Sequence, residues 1–286
     1  MSWLGSSAAL AILSFDVDAE SPILAEGREY AGHPSAMSHQ RYGPLVAVPR
    51  LLGLLDDLGV PATFFVPGWT AERYPQAVEQ ILAAGREVAH HGHSHRSPVH
   101  MDEAEERRDL EAGLAALERH GVQPEGYRTP SWEPSARTFD LLAEYGIGYD
   151  SSLMDDDRPY VLETASGPLV ELPAHWSLDD WNQYMYLPDP RSGPRTVHPP
   201  SRAIQVWREE LDGMRRHGGL FVLTMHPFLS GRPGRVEGLR DLVEHALSVG
   251  DVEFVSCAEA ARRARDDDAL PRRPLPVVDL GSFYPE

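Results

Sequence analysis

The sequence predicts an α/β fold, a parallel sheet with covering helices that is either open or closed into a barrel. Three observations predict it. Short apolar runs alternate with amphipathic helical segments, joined by short loops, along most of the 286 residues. Two of these runs, Ala8 to Phe15 and Gly219 to Met225, are apolar almost throughout, as strands covered on both faces are. The residues able to carry chemistry fall just after such runs, at the sheet edge where parallel α/β folds collect functional groups. No internal repeat, low-complexity block or linker divides the chain, so residues 1–286 are expected to form a single domain.

The elements follow in order. Ala8 to Phe15 is the opening strand, and Ser21 to Pro44, rich in Gly, Ser, Pro and His, reads as a loop. Val48, Leu51, Leu52 and Leu55 give residues 45–58 helical spacing, with Gly59 placed to stop the helix. Pro61 to Val66 is a second strand, Ala71 to Ala84 a helix closed by Gly85, and Glu87 to Ala89 a short strand. Asp102 and Glu105 form a capping-box pattern for a helix running to about His120, with Leu110, Leu114 and Leu117 on one face. Strands are then expected at 126–128, 148–150, 169–172, 219–225 and 252–255, with helices at 135–145, 201–217 and 236–249. The tail from Leu270 carries Pro271, Pro274, Pro276 and Pro285 and reads as an extended surface arm.

Composition removes several function classes. The net charge of −18 opposes binding to nucleic acid or to an anionic membrane. Every basic residue is Arg, which excludes a Lys Schiff base, a Lys-containing phosphate loop and a Ser-Lys hydrolase. Cys257 stands alone, so the chain forms no internal disulfide and no multi-Cys zinc site. The start lacks a basic segment, and its apolar stretch is too short for a signal or a membrane span. A cytoplasmic location is therefore expected.

Four features sit at predicted strand ends. Asp16-Val17-Asp18 places two carboxylates on one side if the strand continues, although alone it also reads as a turn pair. His91-Gly92-His93-Ser94-His95 spaces His91 and His95 at i, i+4, which in a helical turn brings two imidazoles together as metal ligands. The overlapping G-x-S-x-R lacks the second glycine of a nucleophile elbow, which argues against Ser94 as a nucleophile. Arg128 in Arg-Thr-Pro-Ser-Trp suits bidentate pairing with a carboxylate, or is a surface Arg beside a turn. His226 ends the most apolar strand, either at the sheet rim or as a core histidine.

Taken in order, Asp-x-Asp, His-x-x-x-His, Arg-x-Pro and the strand-terminal His resemble the polysaccharide deacetylase superfamily (carbohydrate esterase family 4), from about Ala11 to Val255. Val17 departs from the adjacent acids of the commoner pattern. The run Tyr149 to Asp157, and Glu171-Leu172-Pro173 with Trp176, Asp179, Asp180 and Trp181, look like an intracellular branch of peptidoglycan-deacetylase-like proteins and cyclic imide hydrolases. The resemblance implies an irregular (β/α) barrel of about seven strands, often tetrameric, holding one divalent metal, usually zinc. By it Asp18, His91 and His95 are the ligands, Asp16 the general base oriented by Arg128, and His226 the general acid. Water would then cleave a non-peptide amide or imide C–N bond.

A small cyclic imide or amide is the expected substrate, with an N-acetyl sugar as the alternative and a non-catalytic metal-binding scaffold as the alternative of another class. Glu20, Trp132, Trp176 and Asp180 are the candidate substrate contacts. The tryptophans suit a flat ring or a sugar face, and equally the core.

Overall fold

The structure, a computed structural model, describes residues 2–186 and 197–277. Its opening strand, β1 (Ala9–Asp16), is buried along its whole length. Successive side chains of a strand point to opposite faces, and here the two faces divide the chemistry. Ala9, Ala11, Leu13, Phe15 and Val17 pack outward with Val48, Leu51, Leu55 and Trp207 of the helical layer. Leu10 and Ile12 pack inward with Phe65, Tyr149, Val170 and Val222. Ser14 and Asp16 continue that inward column, so the polar end of an apolar strand is delivered to the barrel interior.

The remaining strands are β2 (Thr63–Val66), β3 (Glu87–His90), β4 (Gly126–Tyr127), β5 (Tyr149–Asp150), β6 (Tyr160–Thr164), β7 (Gly167–Glu171), β8 (Leu220–Met225), β9 (Val252–Phe254) and β10 (Arg272–Pro274). Seven of them lie parallel in the order β7-β5-β4-β3-β2-β1-β8. The chain leaving β7 returns to β8 through a parallel bridge between Asp179 and Thr224, which links the two edges of the run. This is the expected irregular (β/α) barrel. β9 takes the lower half of the β1 edge whose upper half pairs with β2.

Helix ends follow local chemistry. Gly59 and Gly218 sit in left-handed conformation at helix ends, and Asp102 with Glu105 closes a complete capping box on helix Glu103–Glu118. Several expectations are corrected. Residues 21–44 are mostly helical, with turns at Ser21–Glu26 and Pro34–Tyr42, because Pro22 and Pro34 fall within the first turns, where a missing N–H costs nothing. The expected helix at 71–84 is two, Gly68–Arg73 and Pro75–Ala83, broken where Pro75 cannot donate. The helix expected from Ser135 begins at Thr138, because the Ser135 N–H bonds to the Thr138 hydroxyl instead. β6, antiparallel to β7, and helix Cys257–Arg265, capped by Ser256, were not expected. As far as Val277 the tail is docked on the sheet edge, where β10 pairs with β6. Pro285 lies outside the described residues. Among the described residues no helix is long and apolar enough to cross a membrane.

Candidate active site

Asp18, His91 and His95 place one ligand atom each within 4.8 Å of one another, and all three are buried. Asp18 follows the inward column of β1. Its carbonyl oxygen accepts from the Thr70 hydroxyl at 2.7 Å and the Ser21 hydroxyl at 2.8 Å, which fixes the backbone as it turns at Ala19. His91 and His95 follow β3. They do not lie on a helical turn, as their spacing suggested. A loop with Gly92 and His95 at positive φ brings the rings together, 5.1 Å between centroids and nearly perpendicular.

That loop is held from behind. The Asp109 carboxylate accepts from the backbone N–H of His93 at 2.7 Å and of Ser94 at 3.0 Å. His90, kept neutral by burial that pulls it down to about 4, accepts from the Gly92 N–H at 2.9 Å and donates to the Leu110 carbonyl at 3.0 Å. Sequence reasoning missed both Asp109 and His90.

The donors suit a cation. His91 Nδ1 lies 2.7 Å from the Arg128 carbonyl oxygen, which can only accept, so Nε2 is left with its lone pair toward the site. Burial lowers the pKa of His91 further and keeps it neutral. Asp18 is held below the usual carboxylate range. Burial would raise it, but His95, His91 and His226 outweigh burial. Both its oxygens are buried without a hydrogen-bond donor, while His91 and His95 Nε2 stand 3.5 Å away and His226 Nε2 3.6 Å away. A buried carboxylate is expensive unless paired or bound to metal. One carboxylate with two imidazoles also matches a zinc donor set that leaves a position open.

Asp16 lies beside this group, its Oδ2 3.8 Å from His91 Nε2. Its other oxygen accepts from Arg128 Nη1 at 2.8 Å. Arg128 is wholly buried and lies over the Phe65 ring at 4.1 Å. It also donates to Ser14 Oγ at 2.9 Å, Ser151 Oγ at 3.1 Å and the Ser151 carbonyl at 3.3 Å. Ser14 was missed, although the two-residue period of β1 places it one step below Asp16 on the same face.

His226 faces the group from β8. Its Nδ1 is 2.7 Å from Asp180 Oδ1, and the other Asp180 oxygen accepts the His226 backbone N–H at 3.0 Å. Burial would lower the imidazole, but Asp180, with Asp179 and Asp18, overcomes burial and holds it up at about 10. Burial also pushes Asp179 up to about 7 against the pull of His226.

These groups open into a cavity of about 1020 Å³ that is also lined by Trp132, Trp176 and Trp181. Trp132 meets Trp176 at 4.8 Å, and Trp181 meets the His226 ring at 5.1 Å. Among the described residues, the four non-glycine residues at positive φ are Ala19, His95, Ser131 and Trp132, all at or beside this site, where strained backbone commonly gathers. Two expected substrate contacts do not line the cavity. The Tyr74 hydroxyl shares its one proton between the two Glu20 carboxylate oxygens, at 2.7 and 2.9 Å, in a buried contact away from the cavity. Asp180 is wholly buried behind His226. The two segments behave differently because an acid at a turn can aim at substrate or at a neighbour, and spacing does not distinguish them.

Residues 42–149 match the family model described as polysaccharide deacetylase. The chain is 31% identical over 288 residues to the peptidoglycan deacetylase of Helicobacter pylori, covering 91% of this chain and 95% of that one. A crystal structure from Mycobacterium smegmatis, assigned provisionally to the polysaccharide deacetylases, superposes with a TM-score of 0.93 at 48% identity, over 98% of this chain and 97% of that one. A solved allantoinase shares the fold, with a TM-score of 0.80 at 23% identity over 93% of each chain.

Proposed function

The chain belongs to the polysaccharide deacetylase superfamily, and from that premise we propose that it hydrolyses a non-peptide amide or imide C–N bond at the Asp16–Asp18–His91–His95–His226 centre. The activity class is that of the family, metal-dependent hydrolysis. The observation that carries the proposal is Asp18. Two buried carboxylate oxygens with no donor face two imidazole nitrogens, opposite a second carboxylate already held by an Arg.

Asp18, His91 and His95 would hold one divalent cation, for which zinc fits the donors. That cation supplies, when bound, polarisation of the carbonyl and a lowered pKa for water. Asp16, fixed by Arg128, accepts the proton of the attacking water. Its guanidinium partner holds the carboxylate in place for that task. His226 keeps its proton at neutral pH and stands ready to donate it to the departing nitrogen, which an amide leaving group requires. Asp180 sets the orientation of that imidazole.

The substrate reading is a small cyclic imide or cyclic amide. What supports it is the aromatic lining of Trp132, Trp176 and Trp181, with Trp181 against the proposed acid His226. A second reading, an N-acetyl sugar, is favoured by the cavity volume, which exceeds what one five-membered ring fills, and by the Helicobacter pylori relative. One domain, a cytoplasmic setting and a tetramer belong to the same proposal.

The test offers metal-loaded protein succinimide, dihydrouracil and N-acetylglucosamine oligomers, with Asp16→Asn alongside. Ring opening that is lost in the variant is expected. Acetate release with inert rings selects the second reading. Full metal loading with no turnover on any of the three overturns the assignment and leaves the metal-binding scaffold.

A further inference from the structure

Behind Arg128 lie two more buried acids that the reaction does not use. Asp150 and Glu171 are register partners on β5 and β7, and neither is exposed. As register partners, their side chains leave adjacent strands on the same face. Two buried carboxylates so placed repel each other unless a proton lies between them. One oxygen on each is without a partner, Asp150 Oδ2 and Glu171 Oε2. The remaining oxygens are engaged with one turn of chain. Glu171 Oε1 accepts from the Ser152 and Leu153 N–H groups, each at 3.0 Å. Asp150 Oδ1 accepts from the Ser152 hydroxyl at 2.9 Å, and that hydroxyl accepts the Thr129 N–H at 2.9 Å.

This turn carries Ser151, whose carbonyl and hydroxyl receive two of the Arg128 hydrogen bonds. Burial raises Asp150, to about 6, against the pull of Arg128, and the other ionisable neighbours facing the pair, Tyr127 and Tyr160, are kept protonated by burial. With one cation and Asp16 also in the cluster, a single shared proton limits the buried charge to one excess negative. Two ionised acids would leave two, a much costlier state in a dry interior.

We propose that Asp150 and Glu171 share one proton, carried by Glu171, and serve as a positioning pair that fixes the Ser151–Leu153 turn and so the Arg128–Asp16 arm of the proposed site. The inference rests on the preceding reading for its consequence in catalysis, and on the geometry alone for the proton. Glutamine is then the natural replacement for Glu171, because its Oε1 accepts from Ser152 and Leu153 and its N–H₂ donates to Asp150 as the shared proton does. Alanine removes both.

The experiment compares wild type, Glu171→Gln and Glu171→Ala as metal-loaded proteins. The wild type minus Glu171→Gln infrared difference spectrum at pH 7 is expected to contain the C=O band of a protonated carboxyl. Its absence overturns the shared proton. The Arg128 side-chain ¹⁵N–¹H resonance, assigned with Arg128→Met, is expected to be unmoved in Glu171→Gln and displaced in Glu171→Ala. On whichever substrate the wild type turns over, Glu171→Gln is expected to keep kcat within about twofold. Glu171→Ala is expected to lose about 10²-fold in kcat with little change in KM, the scale of a misplaced catalytic group. If Gln falls as far as Ala, or displaces the Arg128 resonance, the positioning pair is wrong. If Ala fails to fold, the Gln variant still decides through all three readouts. A wild type that loads metal but turns over nothing sinks the reading of the active site alone, and the infrared and resonance data still judge the pair.

Discussion

Arg128→Met tests the frame on which the proposed base depends. The methionine keeps an apolar stem over Phe65 but removes the guanidinium, and with it the 2.8 Å pair to Asp16. Both partners are buried, with Arg128 wholly inaccessible and Asp16 4% exposed. Taking one partner from a buried pair costs about 3–5 kcal/mol, because the other charge stays without a counterion. Two further groups lose a donor. Ser14 Oγ still donates to the Leu223 carbonyl at 3.0 Å, so its loss is small. Ser151 loses donors to both its hydroxyl and its carbonyl, adding about 1 kcal/mol. The expected cost is therefore about 4–6 kcal/mol, a large share of the ~5–15 kcal/mol of a typical domain. Urea unfolding of metal-loaded protein at pH 7 measures it. The double variant Asp16→Asn/Arg128→Met is expected to recover at least about 2 kcal/mol, because residues in direct contact couple by that order. A single-variant cost below about 1 kcal/mol, or additive costs in the double variant, would refute the reasoning, since neither is compatible with a buried and mutually dependent pair.

Three other outcomes are expected. A chelator should lower the melting temperature of wild type and leave that of Asp18→Asn unchanged, as read by calorimetry, because only the carboxylate is left without donors when the cation goes. Glu171 is held well above its ordinary 4.5 by burial and then by Asp150, so the folded state keeps a proton that the unfolded chain has released. Stability from this group therefore falls as pH rises above about 4.5, and Glu171→Gln should gain on wild type as pH rises, by at most about 1.4 kcal/mol per pH unit, in denaturant titrations. A parallel pH dependence in the two proteins would contradict it. Glu20→Gln should leave KM within twofold while lowering stability by about 1 kcal/mol, because its contact is the Tyr74 hydroxyl and not the cavity.

How much of this was legible in the chain depends on how far each group acts from its own backbone. The proposed centre was readable because each member sits at the end of an apolar run, and such ends meet on one side of a parallel barrel whatever the loop lengths are. Asp16, Asp18 and His226 reach the interior by the period of their strands alone. The His91–His95 pair was found for an incomplete reason. Its spacing suggested a helical turn, whereas a glycine and a left-handed histidine bend the loop instead. The helices at 21–42 were hidden because proline in a first turn and proline in a loop look the same in composition.

The supporting acids mark a deeper boundary. Asp109 acts across 15 residues on Ser94 and Glu171 across 18 on Leu153, and Asp150 faces Glu171 only through the register of β5 with β7. Their partners are set by strand register and helix placement, which one sequence does not specify. Asp180 shows the same boundary at closer range. It was named a candidate substrate contact, in a segment singled out by the family resemblance, yet the bridge between Asp179 and Thr224 turns it toward the His226 backbone. The proposed ligating and reacting groups are therefore written in local spacing. The charges that hold them in place are written in topology, and the buried pair behind Arg128 belongs to that second kind.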